Sequence, residues 1–109
     1  MKTRFSNEVI TRILEQSVVY QCACPAQVCR SINELRALFV YQADCLNLTD
    51  TDIAVHRRIV DAVQIGHAEM EKCLEDILLL EGWDMNTFKM PEAFNESYPA
   101  AVLGDFTLR

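Results

Sequence analysis

The sequence predicts an all-α fold of three helices: an antiparallel helical hairpin, preceded by an N-terminal helix and followed by an irregular C-terminal tail. Three observations carry this expectation. Apolar positions recur at three and four residues and never settle into strict alternation, which is the helical period and not the strand period. Breaks in that pattern are few before Gly82, the sharpest being Pro25 and the polar connector Asn47-Leu48-Thr49-Asp50. Beyond Gly82 the periodicity stops, and Pro91, Pro99 and Gly104 punctuate the rest.

The first helix is expected over about residues 7–21, with Ser6 as N-cap and Glu8 meeting the positive end of the helix dipole. Val9, Ile10, Ile13, Leu14, Ser17 and Tyr20 fall on one stripe. Pro25 then favours a break, because the residue before a proline avoids the helical region and proline suits a new helix start. The second helix, about 25–46, offers Val28, Ile32, Leu35, Phe39 and Leu46 as its buried stripe. Thr49 or Asp50 can cap the third, about 51–81, whose core stripe reads Ile59, Val63, Met70, Leu74 and Ile77, with Gly82 as its stop. A connector this short makes the second and third helices antiparallel neighbours. Roughly thirty residues give the third helix a length of about 45 Å, more than its predecessor can cover. Part of it must therefore pack on the first helix, on the tail or on another subunit. Residues 1–82 form the helical domain and 83–109 the tail. Trp83, Phe88, Phe94, Tyr98 and Phe106 give that tail either a packing role on the bundle or a docking role on a partner.

Composition narrows the function classes. In a chain of 109 residues, 50% apolar and 24% charged, one domain is the expectation. Sixteen acidic against ten basic residues leave a net charge of −6, unsuited to tracking nucleic-acid phosphates or an anionic membrane. Uninterrupted apolar runs such as Ile77 to Leu80 are far short of a membrane span, and the charged start lacks the apolar core of a signal peptide. A cytoplasmic protein with no nucleic-acid partner and no membrane insertion is expected. Nor do the three glycines form a phosphate-cradling loop.

The most informative stretch is Gln64-Ile65-Gly66-His67-Ala68-Glu69, within the third helix, together with Asn33-Glu34-Leu35-Arg36-Ala37 and Tyr41 in the second. Over about residues 28–81 this hairpin resembles the ferritin-like superfamily, whose rubrerythrin-like members carry a Glu-x-x-His motif on one helix and a companion glutamate on the other. Residues three apart on a helix face the same way, so a carboxylate and an imidazole can share one ion while the opposite helix completes the shell. The resemblance implies Glu34 and His67 as metal ligands, for iron or zinc, and a di-metal oxidoreductase chemistry if the site were whole. Gln64, however, occupies the motif's glutamate position, and a neutral amide cannot supply a bridging carboxylate. Glu71, four residues after His67, is a substitute ligand by spacing. The alternative for His67 is a place on the apolar stripe, hydrogen-bonded to Glu34 or Glu71 without metal.

Five cysteines, an odd number, disfavour a disulfide framework. Cys22, Cys24 and Cys29 cluster at the helix break, where a helix N-terminus lowers thiol pKa and soft ligands could hold a metal or act in redox chemistry. Their spacing matches no Cys-x-x-Cys pair, and buried small hydrophobes are the alternative reading. The expectation that emerges is a non-enzymatic helical interaction or accessory protein. It would be homodimeric through the hairpin's apolar faces and would dock on a larger protein. A ferritin-like metal binder and a thiol module stand as alternatives.

Overall fold

The structure, a computed structural model, describes residues 1–17 and 24–91. The described residues form three α-helices and contain no strand: α1 (Asn7–Ser17), α2 (Cys24–Asp44) and α3 (Asp50–Glu81). Ser6 opens α1 as expected, its Oγ accepting from the Val9 N–H at 3.2 Å. The last residues predicted for the first helix, and Cys22 with them, lie outside the described residues. Helix α2 stops two residues earlier than expected. Leu46 consequently leaves its predicted core stripe for the connector, where it is 74% exposed. Thr49 is the cap of α3. Its hydroxyl accepts from Asp52 N–H, and the Asp52 carboxylate accepts from Thr49 N–H, a reciprocal pairing that satisfies two otherwise orphaned donors. Gly82 ends the helix in the left-handed region at φ 80°, its N–H returning to the carbonyls of Leu78 and Leu79.

α2 and α3 pack side by side as an antiparallel hairpin, and α1 lies against α2. The core sits at one end of this arrangement. Ile10 and Ile13 of α1, Cys29 and Ile32 of α2, and Leu74 and Leu78 of α3 meet there, closed by Phe5, Trp83 and Met90. The far part of α3 is thus covered by the N-terminal segment and by the start of the tail, while α1 packs on α2. The buried line of α3 is rotated from the expected stripe: Val63, His67, Glu71, Leu74 and Leu78 are inside, whereas Ile59, Met70 and Ile77 are half-buried beside it. Two polar side chains at the centre of that line account for the rotation, because their partners come from α2 and the N-terminal segment. On α2 the same holds: Val28, Leu35 and Phe39 are half-buried, and Pro25, Ala26, Cys29 and Ile32 are inside.

Residues 83–91 fold back as an irregular strap. Asp84 Oδ1 accepts from the N–H groups of Asn86 and Thr87, and the Phe88 N–H donates to Asp84 O at 2.8 Å. Phe88 takes a left-handed backbone, φ 57°, unfavourable for an aromatic residue. Its ring meets Phe5 edge to face at 6.0 Å, so the strap and the N-terminal segment close over each other. Residues 92–109, where Phe94, Tyr98 and Phe106 fall, lie outside the described residues. A radius of gyration of 17.0 Å and extents of 57 × 31 × 18 Å mark an elongated molecule; a compact domain of this size would have about 12–13 Å.

Candidate functional site

Three ionisable side chains meet between the helices. Arg36 of α2 donates from Nε to His67 Nε2 at 2.9 Å, from Nη1 to Asn7 Oδ1 at 2.7 Å, and from Nη2 to the Phe5 carbonyl at 2.6 Å and to Glu71 Oε2 at 3.2 Å. Glu71 Oε2 also accepts from the backbone N–H groups of Arg4, at 2.6 Å, and Phe5, at 2.9 Å. Because Nε2 of His67 accepts from Arg36, its proton sits on Nδ1, which lies 3.5 Å from Glu71 Oε1. His67 and Glu71 are 1% and 2% exposed. Burial holds the His67 pKa below its ordinary value, opposed by the Glu71 carboxylate and reinforced by the Arg36 charge. A neutral imidazole between a guanidinium and a carboxylate is the result.

The unit ties three parts of the chain together. Its charges balance, and its donors and acceptors are met. Chemically, both ring nitrogens of His67 are engaged. A cation seeking Nε2 would compete with a guanidinium for the same lone pair, and a base seeking a substrate proton would first have to shed Arg36.

Of the residues singled out in the sequence, the structure brings His67 and Glu71 together. Glu34 is exposed on α2 and makes no hydrogen bond or ion pair with either of them; Arg36, two residues on, is what α2 sends to His67. Gln64 is exposed as well. Among the described residues no group of three or more His, Cys, Asp or Glu side chains is set to hold a metal ion. Cys24 is exposed and Cys29 is in the core. Burial pushes the Cys29 thiol up to about 11, against the lowered value expected of a thiol near a helix start. His56 lies beside the connector, its Nδ1 2.7 Å from Asn47 Oδ1.

Arg36 is the functional residue that sequence reasoning missed. The signal was present, since Arg36 follows Cys29 and Ile32 at the helical spacing of the buried line, an unusual place for a guanidinium unless it is paired.

Surface concavities lie elsewhere. An open groove of 510 Å³ runs along the first turns of α3, lined by Asp50, Thr51, Ala54, Val55, Arg58 and Ile59, and includes none of the buried polar residues. Among the described residues no helix is long and apolar enough to cross a membrane. No protein-family model, no curated protein and no solved structure matches the chain.

Proposed function

We propose that this protein is a non-enzymatic interaction protein, an accessory subunit on a ferritin-like helical scaffold, that acts as a homodimer in the cytoplasm and docks on a larger protein. The observation that carries the reading is the exposed apolar side chains at the connector end of the hairpin, Leu46 at 74% and Leu48 at 80%, with Ile53 exposed in the first turn of α3. Exposed aliphatic side chains at the tip of a two-helix arm suit a protein contact. The buried Arg36–His67–Glu71 unit fits the same reading, as a clamp that holds the N-terminal segment on the hairpin.

A second reading is a ferritin-like metal binder for iron or zinc using Glu34 and His67; in its favour His67 lies beside one further potential ligand, Glu71, although Glu34 is exposed and bonded to neither. Arg36 weighs against it, because its guanidinium fills the position a cation would take.

A photo-reactive amino acid at Leu48, in full-length protein added to extract of the source cells, tests the first reading. Reproducible crosslinking to one other protein, lost when Leu46→Asp is added, is expected. Crosslinks to a second copy alone, or none, would remove the accessory role.

A further inference from the structure

One flank of α3 carries an apolar row that the chain's own fold covers only in part: Met70 and Ile77 lean on the edge of the core, whereas Val55, Ala62 and Leu80 are exposed. Val55, Ile59, Ala62 and Gly66 lie along its first half, and Met70, Cys73, Ile77 and Leu80 along its second. The gaps are four, three, four, four, three, four and three, a helix–helix seam with one lengthened step at its centre. The row runs beside the buried line, on the side of the hairpin opposite the N-terminal segment, which reaches α3 through Glu71 and Glu75. Val55 is 48% and Leu80 85% exposed. A methyl group placed on Gly66 would meet nothing within 4 Å, so nothing in the described packing asks for a glycine, the poorest helix former after proline.

We propose that this row is the seam for a second copy of the chain, α3 packing antiparallel on α3 about a two-fold axis between Gly66 and Met70. Reversed, the row falls within one residue of itself, so an antiparallel copy stacks it on itself in four distinct layers. Val55 meets Leu80 of the second copy, Ile59 meets its Ile77, Ala62 its Cys73, and Gly66 its Met70. Small residues face larger ones in the two central layers, and the empty space over Gly66 receives the methionine. The same register pairs charges along the edge of the seam, Arg58 falling beside Asp76 of the second copy. Glu69, near the axis, is the like-charged exception and faces its own copy. Leu35, Leu38 and Phe39 of α2 widen the face. A surface about 38 Å long and two helices wide is on the scale of the ~800 Å² per partner that a stable interface buries.

The inference specifies the homodimer within the function proposed above. The two fail separately: a dimer through this seam that crosslinks to no other protein keeps the seam and loses the accessory role.

Light scattering on the full chain at micromolar concentration, after size exclusion, is the test. The expected mass is twice the 12.5 kDa of the chain. Gly66→Lys should give a monomer of unchanged helicity, because the position is open in the single chain. Arg58→Asp and Asp76→Arg should each weaken dimerisation at least about tenfold, and the double variant should restore it. Glu69→Gln should tighten it. A wild-type monomer would overturn the proposal, as would a dimer unmoved by Gly66→Lys or a double variant that fails to restore pairing. So would a monomer in which Gly66→Lys exposes residues 92–109 to protease, an outcome that gives the face to the chain's own tail.

Discussion

A guanidinium, an imidazole and a carboxylate inside a small helical chain are costly to desolvate, and they persist here because each neutralises or hydrogen-bonds another. Glu71 collects two backbone N–H groups and Arg36 on one oxygen. Removing Arg36 leaves that carboxylate buried and under-compensated. Arg36→Met should therefore lower unfolding free energy by about 3–5 kcal/mol in chemical denaturation. Arg36→Met with Glu71→Met should recover much of the loss, since an apolar pair leaves no orphaned charge. The His67 pKa is lowered from 6.5 in the folded chain, so below that value the unfolded chain binds more protons. The stabilisation from neutral His67 is complete above pH 6.5 and falls as pH drops through 6.5 toward the folded value. Unfolding midpoints should decline between pH 7 and pH 5 more steeply in the wild type than in His67→Gln. Of these residues only His67 was legible as an inward-facing side chain, on the apolar stripe; Arg36 and Glu71 lie off the stripes expected to be core. Their pairing was not legible, because it depends on how α2 crosses α3 and on backbone groups near the N-terminus.

Among the elements, α3 is defined by its ends. The Thr49–Asp52 pairing fixes the start and Gly82 the stop, both marked by residue type alone, and both fell where the sequence put them. Thr49→Ala should cost about 1 kcal/mol, read as a lowered midpoint in urea. The faces of the helices were less legible. Periodicity marks a wide apolar sector on α3, and two overlapping stripes about 55° apart satisfy it. The choice between them was made by Glu71 and His67, which need Arg36 and therefore turn their own line inward. Ile59, Met70 and Ile77 were left on the flank, where the proposed seam runs. Helix α2 ends at Asp44 because the connector, not another helical turn, runs alongside α3, with Asn47 meeting His56.

At the scale of the whole molecule, the core gathers at one end of a long hairpin, and α1, the N-terminal segment and the 83–91 strap all converge there. The other end is two helices and a connector, which gives the extents of 57 × 31 × 18 Å. The need to cover the far part of α3 was legible from its length. That the cover comes from both ends of the chain, Phe5 locking on Phe88, was not, because such contacts join residues more than eighty positions apart. The clamp at Arg36 is what fastens the first of these ends to the hairpin. Equilibrium dialysis of the full chain against iron(II) or zinc, followed by elemental analysis and thermal unfolding, tests most directly whether the buried polar unit serves the fold or a metal. Far less than one ion per chain, with an unfolding temperature unchanged by metal, is the expected result. About one ion per chain, lost in His67→Ala and accompanied by a raised unfolding temperature, would contradict it.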